Sequence, residues 1–185
     1  MRFIITLFIM LSIVGCAKSP QQVPFQAQVS TGGIQGGGAA IALVLEDARV
    51  NNILGSRGGV YEDTSLISLK GSAIKDIELY LRDRLQKAGF EFGADVVANW
   101  SVRLDVLSYE IEKLNTVKEE ITVQSRMSIV IEKASSTYEN SYSATTSEEV
   151  VGLASEAKNV DIINRAINAT LRALLNDEGI SEFMN

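Results

Sequence analysis

Apolar and polar residues alternate through the middle of the chain. Trp100, Val102, Leu104 and Val106 fall on one face of a stretch beginning near residue 96, with Ser101, Arg103 and Asp105 on the other. This period of two marks a strand with one buried face. At Val106 and Leu107 the phase slips, and Leu107, Tyr109 and Ile111 take over the pattern. A β-bulge produces such a slip, as does a strand end covered on both sides. After a polar turn at 113–118, Ile121, Val123, Met127, Ile129 and Ile131 alternate with polar residues, so the two runs predict a long antiparallel hairpin. A third strand over 138–147 follows a turn at 134–136, and its Ser, Thr and Tyr content suits a half-exposed or edge position. Upstream, Ile41, Leu43 and Leu45 predict a strand from 39 to about 50. Residues 55–59 then read as a loop and 60–69 as a second short strand.

Two segments carry the helical period instead. Ile74, Ile77, Leu81, Leu85 and Ala88 recur at helical spacing, with Ser72 as a candidate N-cap and Gly89 at the stop. Val160, Ile163, Ile167, Thr170, Leu171 and Leu174 form a second stripe, and Ile180 and Phe183 predict a short terminal turn packed back onto it. A sheet and two helices that each present one apolar face satisfy one another in layers. The predicted fold class is therefore α+β: a two-layer sandwich of about four or five mostly antiparallel strands with two amphipathic helices on one face.

The amino end reads differently. Arg2 is followed by an almost unbroken apolar run and then by Ser12-Ile13-Val14-Gly15-Cys16. This is the charged and apolar part of an export signal, too short for the roughly 20 residues that span a bilayer as a helix. Ile13-Val14-Gly15-Cys16 has the form of a lipobox. Cleavage is expected between Gly15 and Cys16, and Cys16 would carry diacylglycerol and an N-acyl chain, the palmitate type of anchor that holds a protein on a membrane. Ala17, rather than an Asp, follows the cysteine, so the expected destination is the periplasmic face of the bacterial outer membrane. Residues 1–15 are then signal and 16–38 the lipidated cysteine and a flexible tether, since 18–38 contain both prolines and a run of glycines. A single domain occupies 39–185.

Composition narrows the chemistry. The formal charge is −6, and loss of residues 1–15, with Arg2, makes it −7. Such an acidic chain lacks the concentrated basic face that nucleic acid requires. With Cys16 the only cysteine, no intramolecular disulfide can form. There is no histidine, the commonest general base and metal ligand. The glycines lack the Gly-Lys-Ser/Thr of a phosphate loop. Adjacent acids at Glu46-Asp47, Glu119-Glu120 and Glu148-Glu149 point to opposite faces of a strand and read as solvated charge. No catalytic residue, metal site or cofactor is expected, apart from the acyl groups on Cys16. Asp47 and Arg49, two apart at a strand end, could pair with each other or meet a partner. Trp100 reads as core. Tyr138 and Tyr142 share one face of the predicted edge strand and are the expected aromatic contacts with a partner.

In this setting the chain resembles the YajG family of bacterial lipoproteins. The likeness is carried by Gly15-Cys16-Ala17-Lys18, Asp47-Ala48-Arg49, the helix end Ala88-Gly89-Phe90, the hairpin, Lys158-Asn159-Val160 and Ile180-Ser181-Glu182-Phe183. The resemblance implies an outer-membrane lipoprotein and brings no catalytic residues. Three functions are open: an anchored interaction or accessory protein supporting an envelope assembly or transport machine, a carrier of an apolar ligand held around Trp100 and Leu104, or, against the missing histidine, a hydrolase. The anchor is tested by Cys16→Ala, which should leave an unprocessed or soluble form; unchanged partitioning into the detergent phase would refute it.

Overall fold

The computed structural model describes residues 19–28, 32–58 and 64–185. Gly15 and Cys16 lie outside the described residues. In chain order the elements are β1 (Gln21–Val23), β2 (Ile41–Asp47), β3 (Ile53–Ser56), β4 (Leu66–Leu69), α1 (Ala73–Lys87), β5 (Ala98–Lys113), β6 (Lys118–Lys133), β7 (Ser136–Val151), α2 (Glu156–Leu175) and α3 (Glu178–Met184). The main sheet has the order β2-β5-β6-β7. Its three long strands run antiparallel, whereas β2 pairs with β5 in parallel through the α1 crossover. The α+β sandwich expected from the pattern is the fold observed, with a second, three-stranded sheet in the order β1-β4-β3 that the pattern does not announce.

The alternation decides which face of the main sheet is covered. Ile41, Leu43, Trp100, Val102, Leu104, Ile121, Met127, Ile129 and Ile131 are all buried, while their neighbours Asn99, Arg103, Gln124 and Arg126 are exposed. The phase slip is a bulge, placed between Leu104 and Val106, one step earlier than the pattern suggests. Val106 consequently pairs with Arg126 and leaves the core face. The helices close the covered side. Ile77, Leu81 and Leu85 of α1 and Ile163, Ile167, Leu171 and Leu174 of α2 are buried. Phe90 meets Trp100 edge-on at 5.1 Å, a favoured aromatic geometry. Ser72 stands at the start of α1 in helical conformation without a side-chain cap, and Gly89 ends it with φ +90°. Ser155 caps α2 by accepting from Lys158 N.

The tether boundary is corrected by the structure. Residues 19–28 and 32–38 are laid across the helices. Strand β1 pairs in parallel with β4. Gln26 N donates to Asn164 Oδ1 at 2.7 Å, and Asn164 Nδ2 donates to Pro24 O at 3.0 Å. Asn168 repeats the arrangement one turn later, accepting from Gln28 N and donating to Gln26 O, both at 2.9 Å. A helical step of four residues rises about 6 Å, close to the roughly 6.6 Å of two extended residues. Two asparagines four apart therefore match the repeat of an extended chain. Further on, Gly33 N meets Asn176 Oδ1, Ile34 is buried, and Gly36 N and Gly38 N donate to Ala88 O and Gly89 O. The glycines that suggest flexibility permit contact: a Cβ on Gly32 would lie 1.8 Å from Leu175 O, and one on Gly36 2.4 Å from Phe90 N.

Two smaller expectations also change. Strand β3 begins before the predicted 55–59 loop and runs into it, and β4 begins only at Leu66, with 59–63 outside the described residues. Gly55 in β3 lies so close to β5 that a Cβ would sit 1.9 Å from Tyr109 O.

The asparagine pairing gives a stability prediction. Asn164→Ala leaves the part-buried Gln26 N–H and Pro24 carbonyl without their partner, and a lost hydrogen bond of this kind costs about 0.5–1.5 kcal/mol. The urea midpoint should fall clearly, by more than for Asn176→Ala at the exposed end of the helix. Equal midpoints would show that the strap is not held this way.

Candidate functional site

The face and edges of the main sheet carry the candidate contacts. Strand β7 is one edge. It runs for 16 residues without a register shift, a proline, a lysine or an arginine. The ladder is continuous from β5, where Leu104 O accepts from Ala48 N on the β2 side. This alternation turns the backbone of odd-numbered β7 residues away from β6. Ser141 N fits that phase, donating to the neighbouring Asn140 Oδ1 at 2.8 Å. The opposite edge is blunted: Arg82 Nη2 donates to Leu43 O at 2.7 Å, and Ile41 N donates to Glu91 O.

Tyr138 and Tyr142 occupy the expected strand, but not the expected exposure. They pair with Ile131 and Met127, and so share the core face of the sheet. Tyr142 is buried and Tyr138 half-buried, its ring 5.6 Å from that of Phe183. Both hydroxyls donate to Asp177 Oδ2, at 2.5 and 2.7 Å, and Asn140 Nδ2 joins them at 2.8 Å. Asp177 also caps α3 through Gly179 N. The tyrosines thus clamp β7 to the start of α3 instead of standing open to a partner. Asp177 is the residue that the sequence reading missed. Its position three residues after Leu174, the last member of the α2 stripe, and just before the terminal apolar turn was the available signal.

Asp47 and Arg49 form a two-pronged pair, with Nε to Oδ1 and Nη2 to Oδ2 both at 2.7 Å. The guanidinium holds the Asp47 carboxyl below its usual range. The two groups are spent on each other. Glu148 is bridged to Lys158 and Arg165 of α2, which keep it below the usual carboxylate range. Among the described residues, no three His, Cys, Asp or Glu side chains group in a way that could hold a metal ion. The space expected for an apolar ligand is filled by the protein: Trp100 is 1% exposed and Leu104 0%. Open clefts of about 560 Å³ each lie instead at the far end of the β5–β6 hairpin, sharing Lys113, Glu119 and Leu153.

That end also holds a buried polar chain. Tyr109 donates to Asn159 Oδ1 at 2.8 Å, Asn159 Nδ2 to Gln21 Oε1 at 2.9 Å, and Gln21 Nε2 to Glu156 O at 2.8 Å. Burial pushes the Tyr109 hydroxyl well above its ordinary range, so it remains a neutral donor. Beside it, Arg57 is 4% exposed and donates to the Ser19 carbonyl and to Glu156 Oε1, the latter at 3.2 Å. Arg57 thereby fastens the start of the strap to the start of α2.

The Asp177 clamp predicts an acid response. Partial burial pushes its carboxyl up, but the hydrogen bonds from Tyr142, Tyr138, Asn140 and Gly179 N outweigh this and hold it below the usual carboxylate range. A depressed folded pKa stabilises fully above the unfolded value, about 3.9, and the benefit is lost as pH falls through the folded value. Asp177→Asn should lower stability at pH 7 and flatten its decline below about pH 4. Urea midpoints measured across that range test this, and an unchanged acid slope would refute it.

Comparisons with known proteins fit this architecture. No curated protein matches the sequence. A crystallised Xanthomonas campestris protein shares 9% identity over 88% of this chain and 97% of its own, with a TM-score of 0.59. It shows the same fold. Looser superpositions link the chain to rare lipoprotein B from Shewanella oneidensis (11% identity, 77% of this chain, 98% of that one, TM-score 0.43) and to a minor lipoprotein from Acinetobacter baumannii (13%, 80%, 90%, 0.40). A model of an uncharacterised lipoprotein family matches residues 27–185, which takes in the second half of the asparagine-bound strap, the whole main sheet and all three helices. The chain belongs to that family of uncharacterised lipoproteins.

Proposed function

We propose that the protein is a periplasmic interaction module of the outer membrane, anchored by acyl chains on Cys16, that receives an extended segment of an envelope protein along the edge of β7. It supports an assembly or transport machine by holding that segment and carries out no reaction of its own. Membership of a lipoprotein family supports the anchor, and the likeness to the YajG lipoproteins supports the outer membrane as its location. The observation that carries the docking surface is the difference between the two sheet edges. Exposed edges are normally guarded by lysine, proline, bulges or covering groups, because their free N–H and C=O groups recruit other strands. Here β2 is guarded by Arg82 and the Glu91 backbone, while the 16-residue β7 has no lysine, arginine, proline or register shift, and its charges are limited to Glu139, Glu148 and Glu149. Strand addition to such an edge takes affinity from main-chain hydrogen bonds and specificity from alternating side chains. The hydroxyls of Ser141, Ser143 and Thr145 stand on the uncovered face beside it.

The test uses proline at a position whose N–H points away from β6. Such a residue is tolerated on an edge strand but blocks an added strand. In cells carrying a photoreactive side chain at Thr145, the native lipidated protein should crosslink to an envelope protein, and Ser143→Pro should abolish the product while leaving the urea midpoint nearly unchanged. A product that survives Ser143→Pro would place the contact elsewhere.

A further inference from the structure

The correction of the tether changes how the domain meets its membrane. Ser19 is already part of the folded body, its carbonyl held by the buried Arg57. Three steps along the chain separate it from Cys16, a reach of about 10 Å when fully extended. A domain held that closely cannot present an arbitrary side to the bilayer; the end that includes Ser19 must face it.

That end is the one with the exposed apolar tips. Leu114 and Val117 lie in the β5–β6 turn, 44% and 56% exposed, Val151 ends β7 and Leu153 follows it in the next turn, 74% and 50% exposed. They are four of the ten large apolar side chains exposed among the described residues. Gly152 N donates to Val117 O at 2.8 Å, which joins the two turns. The clefts continue from this pair of turns to Ser56 and Gly58, the neighbours of Arg57. The apolar tips and the start of the strap therefore share one end of the sandwich. The charges nearby are of both signs, with Lys118 paired to Glu149 at 2.9 Å, so attraction to anionic headgroups is not the organising force. Apolar side chains placed at the headgroup boundary add affinity through buried area.

We infer that this end seats on the lipid bilayer beside the anchor, dipping Leu114, Val117, Val151 and Leu153 into the headgroup region. The inference rests on the reading that Cys16 carries lipid. The seat fixes the orientation of the domain: the β strands stand away from the membrane, and the β7 edge rises from it into the periplasm.

The experiment uses the full-length lipidated protein in vesicles of phosphatidylethanolamine and phosphatidylglycerol. Lipidation consumes the only cysteine, so Val117→Cys, Leu153→Cys and a control, Leu79→Cys on the exposed side of α1, each offer one thiol for an environment-sensitive fluorophore. The expected result is blue-shifted emission and quenching by lipid-borne quenchers at 117 and 153, with neither at 79. Three results would overturn the inference in distinguishable ways. If the unsubstituted protein takes up the label and fails to float with vesicles, the anchor is absent and the seat falls with it. If it floats unlabelled but the 117 and 153 probes are quenched no more than the 79 probe, the anchor stands and the seat is wrong. A blue shift at 117 or 153 without lipid quenching would assign these tips to a protein contact instead.

Discussion

The fold depends on a backbone held by side chains. Asn164 and Asn168 of α2 present an acceptor and a donor each, and the extended chain from Pro24 to Gln28 answers with its own N–H and C=O groups. Buried polar groups are costly when unpaired, so an asparagine inside a helix layer requires a partner that supplies both kinds of group. An extended backbone does so at the spacing of one helical turn. The same helix binds the strap at its start through Asn159 and Gln21, and at its end through Asn176 and Gly33. The strap then crosses to the end of α1, where Gly36 and Gly38 meet the last carbonyls. The two helices and the first strand of the small sheet are thereby tied together before the main sheet begins.

From that constraint follows an asymmetry. The strap and helices cover one face of the main sheet, and the other stays polar and open. The covered face is dense with aliphatic side chains, and even Trp100 is fitted against Phe90 rather than lining a cavity. The edges differ as well. Arg82 reaches from α1 to β2 because the crossover helix lies beside that strand, whereas among the described residues no strand pairs with the outer side of β7. Tyr138, Tyr142 and Asp177 secure β7 from beneath and leave its outer backbone groups free of that clamp. A rigid strand with an unguarded edge is suited to receiving another chain.

The strands and the two main helices were legible because their side chains do the packing. Periodicity placed Trp100, Leu104, Ile129 and Ile167 correctly in the core, and of the two readings left open by the phase slip, a bulge or a covered strand end, the bulge is the one observed. The strap was not legible for the opposite reason: its buried side chains, Gln21, Val23 and Ile34, follow no period, and its backbone makes the bonds to α2 at Gln26 and Gln28. Gly, Pro and Gln are what a chain needs to lie close against two helices, and they are also the composition of a flexible linker. The partners that would have identified it, Asn159, Asn164 and Asn168, sit more than 130 residues away. Their presence among apolar residues on α2 was the one local sign. The tyrosines were placed on the right strand, but the strand's core face could not be told from its outer face, because Ser, Thr and Glu occupy both.

Amide hydrogen–deuterium exchange over residues 21–28 of the native protein tests the central claim, that the stretch 19–28 is part of the folded body. The account predicts that Gln26 and Gln28 exchange as slowly as the middle of α2, because their N–H groups are bonded to asparagines on that helix. Exchange at the rate of an unstructured peptide would contradict it, restore the long tether, and remove the basis for a fixed orientation at the membrane.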